Sequence, residues 1–323
     1  MNIYRWDTVL VTVTATLLLA GTPLQATECP LKTGFTFNET VKVKSKAGIT
    51  KKAHPVSVQM GPASSLVYTN KLRVNTDGSP RSYNQYGRDA PGAVQAYNRL
   101  CNALSVKLKS GEILSAETQP NCHFITQYYQ PTRDSGWKIS PEYTIKWYAI
   151  EHEDPKDGRY RPCVQQSGPF KNFFISTTAL PNVLNQKSCN VANWVDSDQI
   201  PYITLPPDGR FDQGGKAMGS LALVRATIAG QRRTVVAIVA DTGNSFELGE
   251  GSIALHRLLR GMTPDSFAPY QSYEIGSAVT TILFPELKAE RPFTNEGLQA
   301  QREHLEALLG DADTAENCLT ARP

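Results

Sequence analysis

Hydrophobic and polar residues alternate along the first part of the chain. Segments 40–44 and 56–60 repeat with a period of two residues, the spacing of a β-strand with one buried face. Segment 92–104 instead carries apolar residues at helical spacing and predicts a helix. Residues 119–170 are rich in Pro, Tyr, Gly and charge, and predict irregular structure with short strands.

Beyond residue 172 the pattern predicts further strands. Apolar and β-branched runs favour strands at 173–176 and 202–205. Segments 221–228 and 234–240 flank the polar turn 229–233, so they predict a β-hairpin. Because 234–240 is apolar without alternation, we expect that strand to be buried on both faces.

The last third of the chain adds helices to this β-rich pattern. Segment 252–259 has helical spacing, with Gly261 as a candidate C-cap, and 280–284 is a further strand. Segment 295–309 predicts an amphipathic helix that packs on the core and is tethered by Cys318. We therefore predict an α+β fold with a mainly β, barrel-like core and a few packed helices.

The amino terminus has the features of a secretion signal. Arg5 precedes an apolar stretch at 9–20, and small residues at 24–26 offer a cleavage site. The apolar stretch is short of the about 20 residues that span a bilayer. We expect 1–26 to be a cleaved signal peptide and 27–323 to be a single domain.

All six cysteines lie in the expected mature chain. An even number of cysteines in an exported protein predicts a disulfide framework, and the sequence leaves the pairing open. Their wide spacing does not fit a CxxC zinc or redox motif. The cysteines are Cys29, Cys101, Cys122, Cys163, Cys189 and Cys318.

The composition describes an ordinary globular protein and excludes several function classes. Apolar residues make up 40% and charged residues 20%, and the net charge is +3. This charge is small and dispersed, so we expect no nucleic-acid partner. The chain contains no P-loop, dinucleotide fingerprint, HExxH or Gly-x-Ser-x-Gly motif, and we expect no metal site and no cofactor.

Two carboxylates nine positions apart form the most informative motif. The apolar strand 234–240 ends on Asp241, a turn follows, and Glu250 opens the predicted helix. Two acids held across a cleft can act as the acid and base of glycoside hydrolysis. In the competing interpretation Asp241 orders the turn and Glu250 caps the helix, where the helix dipole favours an ionised carboxylate. Spacing alone leaves both interpretations open.

An Asp-Thr-Gly sequence at 241–243 also permits an aspartic protease. A single-chain enzyme of that class needs two such turns facing each other. The only other similar sequence is Asp-Ser-Gly at 134–136, and no buried strand precedes it. We therefore do not favour a protease.

Several segments, taken in order, resemble the chitosanases of glycoside hydrolase family 75, in the bacterial branch. The similarity covers roughly residues 70–285 and rests on an ordered set of blocks rather than on any single one. The blocks are 75–83 (Asn-Thr-Asp-Gly-Ser-Pro-Arg-Ser-Tyr), 174–180 (Phe-Ile-Ser-Thr-Thr-Ala-Leu), 200–206 (Ile-Pro-Tyr-Ile-Thr-Leu-Pro), 237–243 (Ala-Ile-Val-Ala-Asp-Thr-Gly) and 248–255 (Leu-Gly-Glu-Gly-Ser-Ile-Ala-Leu).

This resemblance implies an inverting endo-hydrolase of β-1,4-linked glucosamine polymers that uses no cofactor. It implies that Asp241 activates water and that Glu250 donates the proton. Asp77 falls on an acidic position of the family and could bind a substrate ammonium group, or could merely order an Asp-Gly turn. Tyr83 could stack on a sugar ring or belong to the core. Glu247 would join these acids in lining a cleft for a cationic substrate.

The chain departs from the family at three positions. Ser220 stands where the family commonly has Asp, and Thr242 and Asn244 differ from the Val and Pro that are frequent in bacterial relatives. These changes leave the proposed catalytic pair intact and put the substrate preference in doubt.

We therefore expect a secreted or periplasmic, monomeric chitosanase that binds a polysaccharide and has no stable membrane association after signal cleavage. One alternative is a cell-wall hydrolase that acts on peptidoglycan. Another is a non-catalytic glycan-binding or toxin-like module that keeps the fold without turnover.

Overall fold

The structure is a computed structural model in which the description covers most of residues 28–320. The gaps in this range are 46–47, 88–93, 139, 154–157, 159, 184–188, 213–215, 264–266 and 269. The expected signal peptide, 1–26, lies outside the described residues.

Thirteen strands and six short α-helices are found in the described residues. The strands are β1 (Lys32–Ser45), β2 (Gly48–Met60), β3 (Leu66–Asn75), β4 (Leu104–Leu108), β5 (Ile113–Leu114), β6 (Tyr143–Trp147), β7 (Glu151–Glu153), β8 (Tyr160–Pro162), β9 (Tyr202–Leu205), β10 (Ser220–Ile228), β11 (Gln231–Thr242), β12 (Glu250–Ser252) and β13 (Ile275–Lys288). The helices are α1 (Gln130–Asp134), α2 (Gly209–Asp212), α3 (Ile253–Arg260), α4 (Asn295–Gln299), α5 (Arg302–Ala307) and α6 (Ala312–Thr320).

Six of the described strands form a closed β-barrel. They pair in the order β3, β12, β9, β11, β10 and β13, and β3 pairs with β13 to close the barrel. The pairs β9–β11 and β3–β12 are parallel, and the other pairs of the barrel are antiparallel. The β1–β2 hairpin extends the sheet from β3 and contains both segments predicted from the period of two. The predicted fold class, α+β and mainly β, is confirmed.

The β10–β11 hairpin forms where the sequence predicts it. Its turn is tighter than expected and consists of Ala229 and Gly230, which have φ angles of 49° and 76°. Positive φ at both central residues is the geometry of the turns that match the twist of paired strands. The segment 234–240 is buried throughout, as its continuous apolar character predicts.

Alternate residues of β10 and β11 enter two hydrophobic clusters, on the two faces of the sheet. The first cluster also includes residues of the β1–β2 hairpin and of α3, and the second includes residues of α4, α5 and α6. The first takes Ala222, Val224, Val235, Ala237 and Val239. The second takes Leu221, Leu223, Val236, Ile238 and Ala240. This double burial explains why β11 shows no alternation in the sequence.

Helix α3 confirms the predicted C-cap, whereas its N-cap was not predicted. Ser252 is the N-cap and accepts a hydrogen bond from the backbone N–H of Leu255, at 3.1 Å. Gly261 ends the helix in the left-handed conformation, at φ 66°. The helix begins at Ile253, so the prediction that Glu250 opens it is wrong.

Three other sequence predictions are wrong or only partly right. The described part of 92–104 contains no α-helix, because Tyr97 packs in one cluster and Leu100 in another. Segment 173–176 forms only isolated bridges. The helix predicted at 295–309 is broken between Gln299 and Arg302, where the Gln299 side chain bonds to the backbone of Val236.

All six cysteines form disulfides. The pairs are Cys29–Cys318, Cys101–Cys122 and Cys163–Cys189. Disulfides form in oxidising compartments, so they point to an extracellular protein. None of the helices in the described part of the chain is both long enough and apolar enough to cross a membrane.

Candidate active site

Four side chains lie in one row across four neighbouring strands of the barrel. Arg73 of β3 is paired with Glu250 of β12, Glu250 with Thr204 of β9, and Thr204 with Asp241 of β11. Neighbouring strands are about 4.8 Å apart, so Asp241 and Glu250, two strands apart, have Cα atoms separated by about 10 Å. The fold therefore brings the two predicted carboxylates together.

A β-bulge places Asp241 in this row. Val239 pairs with Ile203 and Asp241 with Thr204, so Ala240 is an extra residue in β11. Val239 and Ile203 belong to the same buried cluster. Because of the bulge, Asp241 is paired with the polar Thr204. Without the extra residue, Ala240 would be paired with Thr204 instead.

Asp241 is buried and accepts three hydrogen bonds. The residue is only 8% exposed. Oδ1 accepts from the backbone N–H groups of Ala179, at 2.9 Å, and Thr242, at 3.0 Å, and Oδ2 accepts from Asn75 Nδ2 at 3.3 Å. Burial raises the pKa of Asp241 to about 7, although these donors stabilise the ionised form.

Glu250 contacts a hydroxyl group and lies near an anchored arginine. Its Oε2 accepts a hydrogen bond from Thr204 Oγ1 at 3.3 Å, and its Oε1 lies 4.0 Å from Arg73 Nε. Arg73 is held by Glu39, at 2.9 Å, and by the carbonyl oxygen of Leu248, at 2.8 Å. Burial raises the pKa of Glu250, and the charge of Arg73 acts in the opposite direction.

Asp77 is the third acid of the site. It lies in the turn after β3 and accepts a hydrogen bond from the hydroxyl of Tyr83 at 2.9 Å. Burial raises the pKa of Asp77 well above its usual range, and the charges of Asp241 and Glu250 add to this effect. Burial therefore favours the neutral form of this third acid beside the two predicted catalytic carboxylates.

Tyr83 and Glu247 occupy different surroundings. Tyr83 is 4% exposed, so its hydroxyl, rather than the face of its ring, is directed to the acidic cluster. Burial raises the pKa of Tyr83, which keeps it a neutral donor. Glu247 lies in the turn between Asp241 and Glu250, and its charge raises the pKa of Glu250.

Asn75 and Tyr202 connect these acids, and the sequence analysis did not single them out. The side-chain Oδ1 of Asn75 accepts hydrogen bonds from the Tyr202 hydroxyl and from the backbone N–H of Asp77, both at 2.8 Å. Its Nδ2 donates to Asp241, and the side chain also acts to lower the pKa of the neighbouring Glu250. Both residues lie in the segments quoted above, but nothing in their spacing marks them as part of the site.

A buried ion pair fixes the turn that carries Asp77. Asp198 accepts hydrogen bonds from Ser79, at 2.5 Å, and from Tyr97, at 2.6 Å. It also pairs with Arg257 of α3 at 3.1 Å. This network joins the turn to α3, the helix that follows Glu250.

Among the described residues, the other candidate chemistries have no comparable site. Asp134, in the possible second protease turn, ends α1 and pairs with Arg133 at an exposed position. His256 is buried, with its two ring nitrogens bound to the carbonyl oxygens of Ser252 and Leu72, and burial lowers its pKa to about 4. These surroundings indicate structural roles for both residues.

The site brings together Asp241, Glu250 and Asp77, with Tyr83 and Glu247 at its margins. Such a group of carboxylates, with pKa values raised by burial, can exchange protons near neutral pH. The chain matches no model of a known protein family and no curated protein.

Proposed function

We propose that the protein is an endo-acting glycoside hydrolase in which Asp241 and Glu250 act by an inverting mechanism. The observation that carries the proposal is the shared row of Asp241 and Glu250, with Thr204 between them. Inverting enzymes hold their two carboxyl groups about 6.5–9.5 Å apart, which leaves room for a water molecule. A Cα separation of about 10 Å is compatible with that range.

The proposed reaction is a single displacement. Asp241 takes a proton from a water molecule as the water oxygen attacks the anomeric carbon. The bond from that carbon to the glycosidic oxygen breaks, and Glu250 gives its proton to the leaving oxygen. These roles follow the resemblance to family 75. The product has the opposite anomeric configuration to the bond that was cleaved.

The surroundings of Glu250 bear on its role as proton donor. A proton donor needs a raised pKa, and burial raises that of Glu250. Its place in β12, outside α3, removes the helix-dipole effect expected from the sequence. Arg73 opposes the shift, so burial of Glu250 has to outweigh the charge of that arginine.

A polymer of β-1,4-linked glucosamine is the substrate we propose, on the basis of the resemblance. Asp77, Glu247 and the catalytic pair would give a cationic polymer an acidic binding surface. Because burial favours a neutral Asp77 in the free protein, an ammonium group that binds there would have to displace its proton. Ser220, where the family commonly has Asp, is buried and donates to the carbonyl oxygen of Pro285 at 2.7 Å.

We also propose that the protein is secreted or periplasmic. The three disulfides and the signal-like segment at the amino terminus support this location. An exported hydrolase meets glycans such as chitosan and peptidoglycan outside the cytoplasm.

The test is product analysis on chitosan, chitin and peptidoglycan with the purified mature protein. We expect new reducing ends on chitosan, and NMR of the first products should show inversion at the anomeric carbon. Asp241→Asn and Glu250→Gln should each reduce kcat by a factor of at least about 100. Asp134→Asn, at an exposed aspartate, is the matched control.

The outcomes separate the alternatives. Release of muropeptides without activity on chitosan would identify a cell-wall hydrolase. Binding of a glycan without any new reducing ends would identify a non-catalytic module. Full activity in both carboxylate variants, on every glycan that the wild type cleaves, would reject the proposed pair.

A further inference from the structure

The carboxamide of Asn75 is fixed in one orientation. Its Oδ1 accepts hydrogen bonds from the hydroxyl of Tyr202 and the backbone N–H of Asp77, both at 2.8 Å. A carbonyl oxygen has two lone pairs, and both are used here. An amide flip would place the N–H₂ group against the backbone N–H of Asp77, which can only donate, so this contact assigns Nδ2 to the opposite side.

The side of Asn75 that carries Nδ2 lies against the catalytic pair. Nδ2 donates to Asp241 Oδ2 at 3.3 Å, and the side chain also acts to lower the pKa of the neighbouring Glu250. The backbone is held as well, because the carbonyl oxygen of Asn75 accepts from Ser197 Oγ at 2.7 Å. Asn75 ends β3, where it pairs with Ser252 of β12. Neither its side chain nor its backbone can turn away without breaking several hydrogen bonds.

We propose that Asn75 is a positioning residue of the carboxylate pair. Its fixed amide orients the Asp241 carboxylate beside Glu250 and favours the ionised form that can take a proton from water, while Tyr202 helps to fix the orientation of that amide. The catalytic consequence rests on the proposed function. The effect on the Asp241 carboxyl group does not, and it can be measured in a protein without activity.

Several groups around Asn75 also affect the charge of Asp241. Asp77 from the turn after β3 and Glu250 from β12 face Asp241 and disfavour a further negative charge. The hydroxyl of Tyr202, on β9, donates a hydrogen bond to Asn75 and so affects Asp241 through the Asn75 amide. The backbone donors of Ala179 and Thr242 both bind Oδ1, whereas Asn75 supplies a donor to Oδ2.

Glu250 is subject to two further charges. Arg73 on β3 favours its ionised form, and Glu247 in the preceding turn disfavours it. Neither residue is changed in the variants below, so a shift in the Asp241 titration can be traced to the amide.

The experiment is a ¹³C NMR titration of the side-chain carboxyl groups in the mature protein. Asp241→Asn assigns the Asp241 signal. In Asn75→Ala we expect the pKa of Asp241 to rise by about one unit, because a hydrogen bond to an ionised group is lost. Tyr202→Phe should shift it in the same direction by less. Asn84→Ala is the control. Asn84 is a buried asparagine nine positions after Asn75, and its Oδ1 accepts a hydrogen bond from the backbone N–H of Tyr86.

Kinetics provides the second readout. In Asn75→Ala the acidic limb of kcat/KM should move to higher pH by the same amount as the titration. We expect kcat at the optimum to fall by about 10- to 100-fold, with KM changed less than about threefold. A merely structural role would lower the amount of folded protein without moving the acidic limb.

An unchanged Asp241 titration in Tyr202→Phe and in Asn75→Ala would overturn the proposal, whatever the activity. If Asn75→Ala does not fold, Tyr202→Phe, which removes a single oxygen atom, decides alone. A wild type that cleaves no glycan would reject the proposed function and leave the titration readable.

Discussion

The acidic side chains of the site differ in how many donors the protein offers them. Asp241 accepts three N–H groups, Glu250 has a hydroxyl and a nearby guanidinium, and Asp77 accepts one phenol. Donors stabilise a carboxylate, and burial without them stabilises the neutral acid. Burial with a single donor therefore favours the neutral form of Asp77.

The raised pKa of Asp77 makes the stability of the protein depend on pH. The folded protein holds this proton to a higher pH than the unfolded chain does. The contribution is thus fully present below about pH 4, the ordinary value, and is lost as the pH rises through the folded-state pKa. Asp77→Asn, which imitates the neutral acid, should lose less stability than the wild type between pH 4 and pH 8.

Urea unfolding at the two pH values measures this effect. We expect the difference between wild type and Asp77→Asn to change by at least about 1.4 kcal/mol, the equivalent of one pKa unit. Asp134→Asn, at an exposed aspartate, should change with pH as the wild type does. A parallel pH dependence in Asp77→Asn would show that Asp77 is ionised in the folded protein.

Single residues of the site were predictable only where they form a motif. Asp241 ends an apolar strand and Glu250 follows at a fixed distance along the chain, so the sequence singles them out. Arg73, Asn75 and Tyr202 come from other strands, and the pairing of β3, β12 and β9 brings them to the acids. Contacts of that kind depend on strand register, and a single sequence contains no signal for register.

At the scale of elements, local structure was predictable and short non-local strands were not. The β10–β11 hairpin follows from two long apolar runs and a turn. Strand β12 has only three residues, too few for a period of two, and it exists because β3 and β9 pair with it on both sides. Its absence from the sequence prediction is why Glu250 was expected in a helix.

Gly249 fixes the approach of the chain to β12. It has φ +80°, and a Cβ atom at this position would overlap the carbonyl oxygen of Lys71. Gly249→Ala should lower the free energy of unfolding by about 3 kcal/mol, from a left-handed alanine together with the clash. It should also reduce any hydrolytic activity at least about tenfold, because Glu250 is the next residue.

Gly230 allows the effect of backbone strain to be measured apart from that of a steric clash. Gly230, in the β10–β11 turn, has φ +76° and open space around a Cβ atom. Gly230→Ala should therefore cost only about 1–2 kcal/mol and leave activity unchanged. Urea unfolding and initial rates measure both variants. Equal losses of stability in the two would mean that the contact with Lys71 has no effect.

At the scale of the molecule, the disulfides differ in the length of chain that they close. Cys29 and Cys318 are 289 positions apart, whereas Cys101 and Cys122 are 21 apart. Loop-closure entropy predicts losses of about 6 kcal/mol and about 3 kcal/mol when the two bridges are replaced by serine pairs. Urea unfolding of both double variants tests this order. The reverse order would show that local packing, rather than loop length, sets the contribution of each bridge.

The class of the fold was predictable because it depends on the number and type of elements. Closure of the barrel was not, because it depends on the pairing of β3 with β13, from distant parts of the chain. The helix expected at 92–104 fails for a related reason: its apolar residues lie at helical spacing, but they enter different clusters.

The pairing of β3 with β13 also governs when the protein can fold during synthesis. The ribosome releases β3 early, and this strand then waits for a partner that comes more than two hundred residues later. Until β13 has emerged, the barrel stays open and its apolar strands stay exposed to water and to chaperones. Asn75 and Asp77 therefore reach their final places beside Asp241 and Glu250 only after β13 has been synthesised, or after transport of the chain if it is exported.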